Sequence, residues 1–203
     1  MRYDFLIETY STERIKVLGT WSMFADQDLP VRPHPTDTRG RSFLEHMVHQ
    51  CISEDMWFRT MLDIDIGASP LPRDEVRLEF MRRYAEDSGK RLAMLRNKDE
   101  TWWEGETAFF DVRRSRAWVI TRRVTHTAHH RGQQLALLRL LGREVYSNYG
   151  PTADTGGLMQ NHAPTIYAYP TLEALLEGET EGGKKTALPP PRQKPVTERP
   201  DMK

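Results

Sequence analysis

The stretch that most restricts the possible folds is residues 115–141, SRAWVITRRVTHTAHHRGQQLALLRLL. It is far longer than a typical strand, and Val119, His126, His130, Leu137 and Leu141 fall along one helical stripe. Gly142 follows, at the position where glycine usually ends a helix. Three more segments carry apolar residues at mixed three- and four-residue spacings. Residues 3–25 place Phe5, Leu6, Tyr10, Ile15, Leu18, Trp21 and Phe24 this way. Residues 42–62 begin at Ser42 with Glu45 three positions on, the spacing of a capping box. Residues 73–97 carry Val76, Phe80, Tyr84, Leu92 and Leu95, interrupted at Gly89, with Pro72 just ahead. The connections DLPVRPHPTDTRGR and DIGASPLPRD are loops by their Pro and Gly content. Residues 99–112 read as extended or looped, and no convincing set of strands is visible. Four long helices without strands imply an all-α chain folded as a four-helix bundle.

The bundle is expected to end near residue 157. Residues 158–178 form an extension with one short helix over 171–178, and from Glu179 to Lys203 the Pro-, Lys- and Glu-rich chain reads as a disordered tail. Lys plus Arg equals Asp plus Glu at 29 each, so the balance of charge favours neither nucleic acid nor an anionic membrane as a partner. The run Arg113, Arg114, Arg116, Arg122, Arg123 is offset by nearby acids and matches no nucleic-acid motif. With one cysteine, Cys51, no internal disulfide can form. No secretory signal and no apolar run of about 18 residues is present, so the expected location is the cytoplasm.

Three of the seven histidines sit in THTAHHRGQQ, residues 125–134. His126 and His130 are four apart and share the inward stripe, whereas His129 points away. Two imidazoles one turn apart can chelate one divalent ion, and they can equally be polar residues packed in a core. The second helix holds His46 and His49, either of which can supply a third nitrogen. Three histidines from two helices with an open fourth position describe a catalytic metal site better than a closed structural one.

These residues resemble a known family. THTAHHRGQQLALLRLLG followed by YGPTADTGG, with RSFLEHMVHQCISEDMWF upstream, is similar to the DinB/YfiT-like metal-binding four-helix bundles. The likeness covers about residues 3–157. It implies an up-down-down-up bundle in which His49, His126 and His130 hold a divalent metal, commonly zinc or nickel. His49 is aligned through the Ser42-Phe43 dipeptide, and His46 is the fallback for that ligand. It further implies a homodimer and a small-molecule substrate. The chemistry implied is a thiol S-transferase using a low-molecular-weight thiol, an isomerase using a thiol cofactor, or a hydrolase, with thiol or water as the nucleophile. A non-catalytic metal-binding bundle, acting as a sensor or structural dimer, is the alternative.

Other residues have weaker expectations. His129, Gln133 and Glu54 are candidates to support the site from behind, although Glu54 and Asp55 also read as a solvated helix face. Arg131 lines or flanks the site. Gly132 inside a helix suggests close helix approach. Cys51, turned about 200° from His49, is a packed thiol. Trp102, Trp103, Phe109 and Phe110 either cover a pocket mouth, plug the end of the bundle or form a dimer contact. Tyr149-Gly150-Pro151-Thr152 reads as a tight turn.

Overall fold

The computed structural model describes residues 2–190. Four long helices form the body: α1 (Asp4–Ser22), α2 (Phe43–Met61), α3 (Arg77–Arg96) and, later in the chain, α5 (Arg116–Leu140). Helix α1 packs against α3 and α5, and α2 packs against the same two. None of the helices in the described residues is long and apolar enough to cross a membrane.

Local chemistry sets the boundaries. Ser42 caps α2 as its spacing predicts: its hydroxyl accepts from Glu45 N at 3.2 Å while the Glu45 carboxylate accepts from Ser42 N at 2.8 Å. Ser115 caps α5 by accepting from Trp118 N at 3.2 Å. Gly142 follows the end of α5 in the left-handed region, at φ 65°, where a side chain would be strained. Helix α3 starts four residues later than its apolar spacing predicts, because Val76 is extended, at φ −105° and ψ 153°.

The segment after α3 departs from the all-α expectation. Asp99 caps a short α4 (Glu100–Glu104), accepting from Trp102 N at 2.8 Å. An antiparallel hairpin follows, β1 (Glu106–Phe109) with β2 (Val112–Ser115), in the register Glu106 to Ser115 and Phe109 to Val112. Phe110, at the two-residue turn, has φ 53°, a backbone geometry rare for an aromatic residue. The aromatics meet the plug expectation in part. Trp103 is fully buried under the bundle, and Phe109 packs against Trp57 and Trp118.

The core is split in two. One apolar cluster gathers Leu18, Trp21, Phe43, Met47, Phe80 and Leu138, and the other gathers Phe58, Leu62, Leu95, Trp103, Val119 and Ile120. Between them lie buried polar residues from every long helix: Glu13 and Arg14, Ser53 to Asp55, Asp87, Ser88 and Arg91, and Arg123, Thr127, His130, Arg131 and Gln134. At its centre Glu54 accepts from the hydroxyls of Tyr10 at 2.7 Å and Tyr84 at 3.0 Å. It also lies 3.4 Å from Arg91 Nη1 and 3.8 Å from Arg123 Nε. Such buried charges persist only when paired.

Beyond α5 the chain folds back over these helices to α6 (Leu172–Thr180), which ends two residues later than expected. The segment from Glu179 to Pro190 is placed, contrary to the expectation of disorder. Glu179 is buried with Arg77 at 2.6 Å, and Thr186 ties to Ala168 O and to the Tyr146 hydroxyl. These polar anchors compensate for the scarcity of large apolar residues. The rest of the expected tail, 191–203, lies outside the described residues. Tyr149 and Gly150 form an open bend, and the turn comes three residues later than expected, with Thr155 N donating to Thr152 O at 3.1 Å.

Candidate metal centre

The polar layer opens to the surface where α2 faces α5. His46 and His49 are three apart on α2, and His126 and His130 four apart on α5, so all four rings reach the same gap. One nitrogen from each of His49, His126 and His130 lies within 4.8 Å of the others. The His49 ring is 4.6 Å from that of His130 and 5.4 Å from that of His126. His130 is buried, His126 and His49 half-buried, and His129 exposed.

The tautomers follow from the hydrogen bonds. His130 Nδ1 lies 3.0 Å from Gln133 Oε1, which can only accept, so Nδ1 carries the proton and Nε2 presents a lone pair. That Nε2 faces His126 Nε2 at 3.2 Å. Two nitrogens bound to one ion at about 2.1 Å sit about 3.4 Å apart at a tetrahedral angle and no more than about 4.2 Å apart at any angle. The His126–His130 pair already has this spacing, and the three nitrogens, all within 4.8 Å of one another, close on a divalent ion with movements of at most about 1.4 Å. His126 Nδ1 is buried without a partner among the described residues.

Electrostatics keep the rings neutral. Burial, reinforced by Arg123, pushes His126 down to about 3. Burial and the neighbouring His49 bring His130 to about 4, and burial with Arg41 brings His46 to about 4. His49 is lowered by burial, then by Arg41 and Arg123. Neutral imidazole is the ligating form, so no proton has to be displaced near pH 7. A pocket of about 410 Å³ lies over the rings, lined by Arg41, His49, Arg122, His126, His129 and His130. Among the described residues its lining holds two guanidinium groups and no carboxylate.

The supporting residues sort differently from expectation. Gln133 does reach His130, and His129 stands at the pocket rim, its ring 5.1 Å from that of His130. His46 lies behind His130, its ring 5.6 Å away and its Nδ1 unpartnered. Glu54 neither orients an imidazole nor faces solvent. It is fully buried in the tyrosine–arginine network, and Asp55 is bound there too, to Arg91 at 3.0 Å. Arg131 turns away from the site to Glu13 at 2.5 Å and to the Tyr149 hydroxyl. Gly132 is exposed, and a Cβ there would meet nothing within 4 Å, so it marks no close helix approach. Cys51 is buried as expected, and burial holds its thiol well above the usual range.

Sequence reasoning passed over two residues. Trp57, two turns beyond His49, stacks on His126 at 5.5 Å and carries the Arg123 guanidinium on its ring at 5.6 Å. Arg41 lies immediately before the capping serine, outside α2, and lines the pocket beside His49.

The fold has counterparts among solved structures. A DinB-like protein from Bacillus cereus ATCC 10987 superposes with a TM-score of 0.62 at 14% identity, covering 71% of this chain and 95% of its own. A DinB-like protein from Bacillus subtilis gives a TM-score of 0.55 at 12% identity, covering 71% of this chain and 96% of its own. No protein of curated function matches the chain. The model of the DinB family matches residues 14–158, most of the chain and all four histidines of the gap. The chain belongs to the DinB family.

Proposed function

We propose that this protein is a metal-dependent enzyme holding zinc or nickel on His49, His126 and His130, and that it transfers a low-molecular-weight thiol to, or hydrolyses, a small electrophilic substrate. The observation that carries the reading is three neutral imidazole nitrogens within 4.8 Å of one another beneath an open pocket. A bound divalent ion would supply Lewis acidity and lower the pKa of a thiol or water. The chain's own groups do the rest. Gln133 holds His130 in the tautomer whose Nε2 faces the gap. Trp57 walls the His126 side against water. Arg41 and Arg122 attract a thiolate or an anionic substrate to the pocket. His129, at the rim, is placed to take the proton of the incoming nucleophile on a ring nitrogen. The up-down-down-up helix order, a homodimer and a cytoplasmic location belong to the same reading, supported by the family; light scattering after size-exclusion chromatography checks the dimer.

The test is elemental analysis of untagged protein, wild type and His49→Ala, His130→Ala and His46→Ala, followed by a screen for thiol transfer to small electrophiles. About one metal per chain, lost in the first two variants and kept in His46→Ala, supports the site. Loss in His46→Ala with retention in His49→Ala would move the ligand to His46. No uptake of zinc or nickel would end the enzyme reading, and uptake without turnover would favour the sensor or structural role.

A further inference from the structure

A second cavity, sharing no residue with the histidine pocket, lies between α1 and the segment after α5. It has a volume of about 170 Å³ and a mostly apolar wall that includes Ile15, Met23, Tyr167 and Leu175. Its outer wall, residues 167–175, lies beyond residue 158, where the family match ends. The cavity is thus built by an extension that the family model does not describe.

Its polar groups are few and specific. Asn148 lines the cavity and is 5% exposed. Its Nδ2 donates to Lys16 O at 3.2 Å and to Thr20 Oγ1 at 2.8 Å. Lys16 O can only accept, so the amide has one permitted orientation. Oδ1 is left buried and without a partner among the described residues. Buried acceptors are almost always satisfied, so the orphan points to a missing donor. Ser147, also in the lining, accepts from Ile166 N at 3.0 Å, and its own hydroxyl proton has no acceptor among the described residues. Among the described residues the only cation in the lining, Lys16, is held by Glu13 at 3.1 Å and over the Tyr149 ring at 4.0 Å. A ligand here is therefore neutral. Gly19 faces the cavity, and a Cβ on it would meet nothing within 4 Å.

An engineered apolar cavity of roughly 150 Å³ binds benzene, so this one has room for a single six-membered ring. We propose that it binds a phenol: the ring lies against Met23, Tyr167 and Leu175, and the hydroxyl donates to Asn148 Oδ1 and accepts from Ser147. A ring hydroxyl supplies both missing partners at once.

The test is a two-dimensional amide NMR titration of the full chain with phenol, and with methoxybenzene as a ring that cannot donate. Saturable shifts confined to α1 around Gly19, to Ser147 and Asn148 and to residues 167–175 are expected. Methoxybenzene should bind about fivefold more weakly, the share of one hydrogen bond. Gly19→Leu fills the space and should abolish the shifts, and Gly19→Ala should retain them. Shifts that do not saturate, shifts centred elsewhere, equal binding of the two rings, or unchanged binding to a folded Gly19→Leu would each overturn the proposal. The comparison of phenol with methoxybenzene stands on wild-type protein alone if Gly19→Leu does not fold.

Discussion

Replacing Glu54 with alanine should be among the most damaging single changes in the chain. Its carboxylate is fully buried, accepts from two tyrosine hydroxyls and offsets two guanidinium groups. Burial first, and then the charge of Glu54, holds both tyrosine hydroxyls well above their usual range. In Glu54→Ala, Arg91 keeps Asp55 at 3.0 Å, but Arg123 keeps only the Ser53 hydroxyl at 2.9 Å and the Trp57 ring. An uncompensated buried charge costs about 3–5 kcal/mol. Orphaned buried hydroxyls cost about 1–3 kcal/mol each. The contributions overlap because one vacated space serves all four groups, so the expected loss is about 5 kcal/mol. At about 2–4 °C per kcal/mol for a chain of this length, Tm falls by about 10–20 °C. Urea unfolding of metal-free protein, followed by circular dichroism, measures it. Glu54→Gln keeps the shape and one acceptor oxygen and should lose less. Glu54→Leu combined with Arg123→Leu removes charge from both sides and should be more stable than the sum of the single changes implies. A loss below about 1 kcal/mol in Glu54→Ala, or strict additivity in the double variant, would refute the paired-charge account.

The remaining expectations are smaller. His46, His126 and His130 have folded pKa values of about 4, 3 and 4 against 6.5 when free, so between those limits the unfolded chain binds more protons. Metal-free protein should keep its stability above pH 6.5 and lose it as the pH falls toward 4, which thermal melts in chelator across that range will show; a flat profile would count against neutral buried rings. Ser42→Ala removes the α2 cap and should cost about 1 kcal/mol by urea titration, with an unchanged midpoint counting against the cap. Gly132→Ala should raise stability by about 1 kcal/mol, since the added methyl group meets nothing. Cys51 should resist an aromatic disulfide reagent in native protein and react once the chain is unfolded in urea.

Much of the frame was legible because its signals are local. Ser42 with Glu45, and Gly142, mark helix ends through signals a few residues apart. The four-residue spacing of His126 and His130 places two nitrogens together wherever that helix packs. The hairpin was hidden because β1 and β2 are four residues each and alternate too briefly to show a period of two. Glu54 was misread for a different reason. A charged residue on a helix is usually solvated, and its burial depends on Tyr10, Tyr84, Arg91 and Arg123, which come from three other helices. Arg131 was misplaced likewise, since Glu13 lies 118 residues away. The tail was judged on hydrophobicity, while its ordered part is anchored through Glu179 and Thr186, polar atoms whose partners no composition reveals.

The pairing of Glu13 with Arg131 also sets a clock for the chain in the cell. Helix α1 finds one of its two main neighbours only in α5, and these two ionic partners are separated by 118 residues. At about 5–20 residues per second, the ribosome needs roughly 6–24 s between them. Throughout that interval Leu18 and Trp21, both fully buried in the finished fold, lack part of their cover. Helix α1 can dock on α3 meanwhile, but the sheet of charge in the middle of the bundle stays open on one side. The first helix to be made is thus among the last to be fully enclosed, and the nascent chain will depend on protection from aggregation until α5 has emerged.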